Sequence, residues 1–425
     1  MGILVGGGPA PGINSVIGAA TIRACLSGQS VVGIHDGFKW LMQGNLSRTT
    51  RLTIEDTSRI HFRGGSHIGI SRNGPASDPV MLDAILKSLW RLDIDKLIVI
   101  GGDGTGSAAH AIERRAGGAL AVVHVPKTID NDLDLPHDAV SFGFQTARHV
   151  GVGLVHNLMV DARTTARWFF AVTMGRKAGH LALAIGKSAG ATLTLIPEEF
   201  GGRRVTSELL VDILAGAIIK RQAWGRPDGI AVLAEGLVTL LDPDELATLG
   251  PVTRDALGRL HIGDIPYGEI LKQRVVARLR PLGITTPVVA KSLGYELRCA
   301  DPIPLDMEYT RDLGYGAAKY LVEGGSGAMI TLQNGRLIPI PFERLVDPLT
   351  GDHRVRLVDT ESDRYKIART YMIRLKREDF DDAADLARIA AAVSLSPEDF
   401  REQFGHVVES ESSLSLAPPA IRARE

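Results

Sequence analysis

The segment Pro126-Lys127-Thr128-Ile129-Asp130-Asn131-Asp132 sets two carboxylates two residues apart, just after a lysine and a hydroxyl. No turn requires that much charge. Phosphoryl transfer does: one carboxylate accepts the proton of an attacking hydroxyl, a second orients the base or metal-bound water, and a cation holds the donor phosphate. The bland alternative is a cluster of Asx-turns at a helix start. A second segment, Gly101-Gly102-Asp103-Gly104-Thr105, offers glycine N–H groups that can close on phosphate oxygens and one carboxylate able to hold a bridging magnesium ion. Alone, it also reads as a tight turn capped by Asp103. A third, Gly6-Gly7-Gly8-Pro9-Ala10-Pro11-Gly12, is a phosphate-loop candidate that departs from the Gly-x-Gly-x-x-Gly dinucleotide spacing. Met174-Gly175-Arg176, followed by Lys177 and Gly179, supplies a guanidinium for a phosphate or hydroxyl, and Ala234-Glu235-Gly236 supplies an acceptor for sugar hydroxyls. A lone Arg or Glu at a strand end is also a common surface group.

The elements that must carry these segments alternate along the chain. A short apolar strand over Gly2 to Gly6 leads through a tight turn into a helix from Ile13 to Leu26. A strand begins at Val31, a helix spans Val80 to Leu92, and a strand from Lys96 to Ile100 runs into the Gly-Gly-Asp-Gly-Thr turn. A small-residue helix follows over Gly106 to Arg115, then a strand from Ala119 to Val125 leading into the carboxylate segment. A second block repeats the pattern: helix Gln145 to Leu158, strand Trp168 to Thr173, helix Gly179 to Gly190, strand Thr192 to Ile196, helix Ser207 to Ala223, strand Gly229 to Ala234. Asp242 to Leu282 reads as mainly helical, Pro287 to Leu293 as a strand, and Leu305 to Glu323 as a helix. The text turns charge-rich beyond about Val346, with a helical stretch over Asp379 to Ala391 and a frayed tail from Ser410. This alternation predicts an α/β protein with parallel-rich sheets, whose ligand loops sit where strands end.

Composition bounds the partners. The 425 residues carry 48 Lys and Arg against 49 Asp and Glu, so no whole-protein field favours nucleic acid or a membrane surface, and phosphate affinity must be local. A hydrophobic fraction of 44% and a mean hydropathy of +0.07 suit a globular chain, with no apolar run of the roughly 20 residues a membrane helix needs. Two cysteines, Cys25 and Cys299, are too few for a disulfide framework, and the opening lacks a signal-peptide pattern, so a cytoplasmic location is expected.

Taken in order with Leu293-Gly294-Tyr295-Glu296-Leu297-Arg298, these motifs resemble the phosphofructokinase A family over roughly residues 2 to 345. The resemblance implies two Rossmann-like three-layer lobes and a C-terminal extension. Residues 1–140, with about 297–345 returning, would bind the phosphoryl donor, 141–296 would bind the sugar phosphate, and 346–425 would be the extension. It implies magnesium-dependent transfer to the 1-hydroxyl of fructose 6-phosphate, giving the 1,6-bisphosphate in glycolysis. Gly8, Gly102, Gly104 and Thr105 would line the donor phosphates, Arg72 would pair with the transferred group, and Asp103 would hold magnesium. Asp130 would be the base, with Thr128, Lys127 and Asp132 beside it. Met174, Gly175, Arg176, Glu235, Tyr295 and Arg298 would bind the sugar phosphate, and Arg167 matches an arginine that reaches over from a neighbouring subunit. The site would then be shared within a homodimer or homotetramer. Two positions depart from many bacterial members, Tyr295 in place of a histidine and Val289 in place of an arginine, which leaves sedoheptulose 7-phosphate open as a second sugar.

Two positions bear on the donor. In pyrophosphate users the residue after the metal aspartate is typically an aspartate that repels the α-phosphate of ATP; here it is Gly104. Lys127 points the other way, since many ATP enzymes have glycine there and pyrophosphate enzymes lysine. Because repulsion excludes a ligand more decisively than attraction selects one, the glycine carries more weight, and the expected donor is ATP, with pyrophosphate as the alternative. Two rivals stand from other classes. A kinase of the NAD or lipid kinase type shares the Gly-Gly-Asp-Gly turn but needs neither the carboxylate segment nor Met-Gly-Arg. A non-catalytic sugar-phosphate-binding regulatory subunit is motivated by Val289 and Tyr295, against which Asp103, Asp130 and Asp132 are all retained.

Overall fold

Twelve strands build two sheets in the computed structural model, which describes residues 1–75, 78–136, 139–248, 262, 265–345 and 354–409. The first sheet holds β1 (Gly2–Val5), β2 (Val31–Ile34), β3 (Thr49–Leu52), β4 (Lys96–Gly101), β5 (Ala121–Thr128), β6 (Phe142–Gly143), β11 (Ala328–Gln333) and β12 (Arg336–Pro341). Its order is β12-β11-β5-β4-β1-β2-β3, with β6 paired to the end of β5. The five central strands are parallel, and β3 and β12 add antiparallel edges. The second sheet is all parallel and holds β7 (Trp168–Thr173), β8 (Leu193–Leu195), β9 (Gly229–Ala234) and β10 (Val288–Leu293) in the order β10-β7-β9-β8. The expected α/β architecture with parallel-rich sheets is the one observed.

Parallel strands read as continuous apolar runs because both faces are covered. In the first sheet Ile3, Val5, Ile98, Ile100, Val123 and Val125 turn to one side, against Ile13, Val16 and Ile17 of the helix Ile13–Leu26 and Leu313, Ala317 and Leu321 of the helix Pro304–Val322. Leu4, Leu97, Val99 and Val122 turn to the other, against the helices Pro79–Arg91 and Asp103–Ala116. The helices that follow β1 and β4 therefore lie on opposite faces. The crevice between these neighbouring strands is a topological switch point, where open α/β sheets bind ligands.

In the second sheet Phe169 and Ala171 join the same apolar cluster as the first sheet through the helices Phe144–Thr165 and His180–Ala189. One continuous core thus spans both sheets. Trp168 and Phe170 face the other way and are covered by the helices Ser207–Ala223 and Tyr267–Leu279 and by Leu375, Phe380, Phe400 and Phe404 of the C-terminal region. The extension is accordingly part of the packed molecule.

Several expected boundaries move for identifiable reasons. The helix expected from Gly106 begins at Asp103, because Gly102 takes the N-cap and its carbonyl accepts from Thr105 and Gly106 at 3.0 and 2.9 Å. The strand expected to end at Val125 runs to Thr128. Proline 126 is tolerated there because β11 pairs with β5 only at Val123 and His124, and β6 takes up the pairing at Lys127 and Thr128. The helix read over Asp379 to Ala391 is two helices, Arg377–Asp381 and Ala383–Ala391, divided at Asp382, whose carboxylate caps the second by accepting from Ala384 and Asp385. Within Asp242 to Leu282 the structure shows Pro243–Thr248, Tyr267–Leu279 and a single turn Arg280–Leu282. Residues 249–261, 263–264, 346–353 and the tail from Ser410 lie outside the described residues.

One buried carboxylate joins the layers behind the site. Asp306, on the first turn of the helix Pro304–Val322, is fully buried and accepts from the N–H groups of Gly143 (3.2 Å) and Thr146 (2.7 Å) and from the Thr146 hydroxyl (2.6 Å). It thereby fixes β6 and the N-terminus of the helix Phe144–Thr165, where a negative charge also meets the positive helix end. Asp306→Ala should lower stability by about 3 kcal/mol, because three donors lose their acceptor. Denaturant unfolding would measure this, and parent-like stability would show the joint to be dispensable.

Candidate active site

The two parts of the donor crevice lock together through Thr105. Its buried side chain lies so close under both loops that a Cβ on Gly6 would come within 2.7 Å of it and one on Gly101 within 2.3 Å. Only glycine allows that approach. Gly6 donates to Ile100 O at 2.8 Å, Gly7 to Ser71 O at 2.9 Å, and Gly7 holds a left-handed φ of 86°. Thr105 is thus a wedge that sets the spacing of the loops.

Three cations converge on the same turn. The Lys127 amine donates to Gly8 O, and a Cβ on Gly8 would sit 3.8 Å from both Arg298 Cζ and Arg72 Nη2. Arg72 arrives by the pairing of Ser71 with Gly6 that joins its loop to the end of β1. Lys127 is buried, and its pKa is lowered to about 8, chiefly by burial, with Arg298 and Arg72 pushing the same way and Asp130 and Asp132 opposing. Three cations gathered on one glycine turn have the chemistry of an anion site. Asp103 lies on the first turn of its helix, and Gly104 beside it is exposed.

The carboxylates sit one strand further along. Asp130 N donates to Thr128 Oγ1 at 3.0 Å, and the Thr128 hydroxyl donates to Asp132 Oδ1 at 3.2 Å. Between them Asn131 is left-handed, with φ of 56°. Asp130 is buried, and its Oδ1 has no hydrogen-bond partner among the described residues. Burial raises its pKa to about 7, reinforced by Asp132 and Glu235 and opposed by Arg176 and Arg298. Asp132 is also raised, again first by burial, with Arg176 opposing; Arg176 Nη1 stands 3.7 Å from Asp132 Oδ2.

From the second sheet, Glu235 Oε1 accepts from the N–H groups of Gly175 (3.1 Å) and Arg176 (2.7 Å), which holds Arg176 at a left-handed φ of 54°. Met174 packs on Gly294, so close that a Cβ there would meet its side chain at 2.5 Å. Met174 N donates to Leu293 O at 3.0 Å, joining the ends of β7 and β10. The short helix Tyr295–Arg298 follows, with the Arg298 guanidinium 5.4 Å from the centre of the exposed Tyr295 ring. Ends of strands from both sheets therefore meet over one cleft. Arg167 does not join them: it precedes β7 and lies at the other end of that strand from Met174, about 20 Å away at the usual strand rise. Its Nε stands 3.6 Å from Asp161 Oδ1.

Sequence spacing gave no sign of the groups that hold the Asn131 turn. Ser141 donates from its N to Asn131 Oδ1 at 3.0 Å and from its hydroxyl to Thr128 O at 2.9 Å. Arg356 donates to Asn131 O and Asn131 Oδ1 from the C-terminal region. Both come from segments with no motif of their own.

The phosphofructokinase family model matches residues 1–321. The chain belongs to the phosphofructokinase family. A pyrophosphate–fructose 6-phosphate 1-phosphotransferase of Thermotoga maritima is 48% identical over 414 residues, covering 96% of this chain and 99% of that protein. One from Naegleria fowleri is 44% identical over 418 residues, covering 96% of each. The crystal structure of a pyrophosphate-dependent phosphofructokinase from Nitrosospira multiformis shares the fold at a TM-score of 0.66 and 15% identity, covering 92% of this chain and 91% of that one.

These relatives overturn the expectation that ATP is the favoured donor of this phosphofructokinase-family chain. The physical error lies in the weight placed on Gly104. Room beside an exposed glycine permits a nucleotide without requiring one, whereas Lys127 is buried against Gly8 beside two guanidinium groups.

The raised Asp130 carboxyl has a consequence for stability. Its folded pKa of about 7 lies above the ordinary 3.8, so its contribution is full below about pH 3.8 and is lost as pH rises through 7. Asp130→Asn, which removes the ionisation, should therefore raise the Tm relative to the parent at pH 8, with the gain shrinking at pH 5. An equal gain at both values would show that Asp130 carries no such strain.

Proposed function

We propose that this phosphofructokinase-family enzyme transfers a phosphoryl group from pyrophosphate to the 1-hydroxyl of fructose 6-phosphate, reversibly, giving fructose 1,6-bisphosphate and phosphate. The observation that carries the donor is the convergence of Lys127, Arg72 and Arg298 on Gly8. A short, dense anion satisfies three cations within a few ångströms, while an adenosine tail would add nothing there. The two full-length relatives' names support the same donor and acceptor.

In this reading Asp130 takes the proton of the 1-hydroxyl. A carboxylate held near pKa 7, with one oxygen lacking any partner, is matched to base catalysis at neutral pH. Asp132 keeps Thr128 and Arg176 in register, Arg72 would meet the transferred group, and Met174, Gly175, Arg176, Glu235, Tyr295 and Arg298 would frame the sugar phosphate. Glu235 acts largely through the backbone it holds. Arg167 would serve the site of a second copy, since its own lies at the far end of β7. The donor half would comprise residues 1–140 with 297–345, and the sugar half residues 141–296.

Magnesium suits the donor set. No three His, Cys, Asp or Glu side chains among the described residues form a cage, and magnesium is ordinarily bound by one or two carboxylates plus substrate phosphates. Asp103, whose charge is felt by Asp132 and Arg176, would hold it. Bound there, the ion would neutralise phosphate charge.

The test is a donor exchange at equal magnesium: pyrophosphate with fructose 6-phosphate should give the bisphosphate, and a rate seen with ATP alone would refute the donor. Lys127→Met should raise the KM for pyrophosphate roughly 10- to 100-fold, the scale of a lost charged hydrogen bond. An unchanged KM would remove Lys127 from the donor site. Asp130→Ser should lower kcat by roughly 10²- to 10⁴-fold with sugar affinity nearly intact. Parallel loss of sugar binding would reassign the residue. The parent kcat should fall as pH drops below about 7, as Asp130 takes up its proton; a rate flat to pH 5 would exclude it as the base.

A further inference from the structure

The C-terminal region crosses behind the carboxylate turn. Val355 pairs with Leu133 as an antiparallel bridge, and Arg356 N donates to Asp132 O at 2.8 Å. The Arg356 guanidinium then donates from Nη1 to Ala139 O at 2.7 Å, from Nε to Asn131 O at 3.2 Å, and from Nη2 to Asn131 Oδ1. Two residues on, Val358 N donates to Glu198 Oε1 at 3.0 Å, and the same oxygen accepts from Gly179 N at 2.8 Å. Between these points Arg356 O faces His180 Nε2 at 3.1 Å. A single extended segment is therefore tied at one end to Asn131 and Asp132 and at the other to the loop that follows Met174-Gly175-Arg176.

We infer that Arg356 is a positioning residue for phosphoryl transfer, which sets the Asn131 turn and with it the aim of Asp130 and the register of Asp132 against Arg176. Asparagine enters the left-handed region more readily than other non-glycine residues, and here its neighbours fix it there. At Asn131 the determinants are Ser141 on one side and the planar guanidinium on the other, which reaches the backbone oxygen and the side-chain oxygen together. A lysine, a compact point charge, cannot span three acceptors in fixed geometry. A shift of about 1 Å in a reacting group is enough to cost roughly 100-fold in rate. The hydrogen bonds of Arg356 to Asn131, Ala139 and Asp132 act on the turn that aims Asp130, so its main effect falls on turnover.

The inference rests on Asp130 being the base, so Asp130→Ser is assayed beside Arg356→Ala and Arg356→Lys, each with whichever donor gives the parent its higher rate. Arg356→Ala should lower kcat about 10- to 100-fold, with KM for fructose 6-phosphate and for the donor within about threefold of the parent. Added guanidinium should restore part of that rate and leave the parent unaffected. Arg356→Lys should be folded by circular dichroism and still several-fold slower than the parent. If the alanine variant does not fold, the lysine variant decides by the same split. A lysine variant at the parent kcat, or raised KM at unchanged kcat in either variant, overturns the proposal. A parent-like rate in Asp130→Ser would instead sink the base assignment.

Discussion

The structure turns on the placing of two buried carboxylates within reach of several cations and short of full neutralisation. Asp130 and Asp132 sit in the interior, where ionised groups are costly unless paired. Arg176 answers Asp132 at the edge of ion-pair distance, while Asp130 Oδ1 is left without a partner. Burial raises Asp130 towards neutrality, with Asp132 and Glu235 adding to it, and burial likewise lowers Lys127 on the same segment. Each group is strained towards its uncharged form. An anion brought against Lys127 and a hydroxyl brought against Asp130 relieve both.

The rest of the fold keeps these groups from relaxing. A flexible lysine or aspartate would swing to water if the backbone allowed it. Here the carboxylate turn is closed by Thr128, Ser141 and Arg356, and the lysine is committed to Gly8. The glycines at the ends of β1 and β4 let Thr105 draw two loops to one spacing, and Glu235 holds the Arg176 backbone in a left-handed conformation that the chain would not choose alone. Charge separation is maintained by geometry that comes from both sheets. The unbroken apolar core between them is therefore a condition of the electrostatics.

Much of this was legible in the chain. Parallel strands buried on two faces leave unmistakable runs such as Lys96–Gly101 and Gly229–Ala234, and their ends were marked by glycine and charge. What periodicity could not supply were contacts made at a distance along the chain. The hairpin of β11 and β12 has no alternation that distinguishes it: β12 is largely exposed, and β11 is a short apolar run. Strand β3 is a polar edge whose identity depends on β2. The early start of the helix at Asp103 depends on Gly102, not Asp103, taking the cap, and the run of β5 past a proline depends on Phe142–Gly143 as a partner, which is not a local signal. Ser141 and Arg356 were invisible for the same reason.

The donor shows how an argument from a single residue goes astray. Exclusion and attraction were weighed as if a position free of repulsion were equal to a site. Specificity is a difference between two binding free energies, and an exposed Gly104 removes a penalty against one ligand without by itself selecting that ligand. On the proposed reading Lys127 would contribute on the other side of that difference, through surroundings that the sequence does not display: burial, the Gly8 carbonyl, and two guanidinium groups delivered by a loop after Gly69 and a helix after Gly294. On that reading, the burial and the neighbouring guanidinium groups that lower the pKa of Lys127 would be offset by a compact polyanion. Attraction of that kind would favour the smaller donor, because the part of a larger one that lies beyond the cationic turn would gain nothing from it.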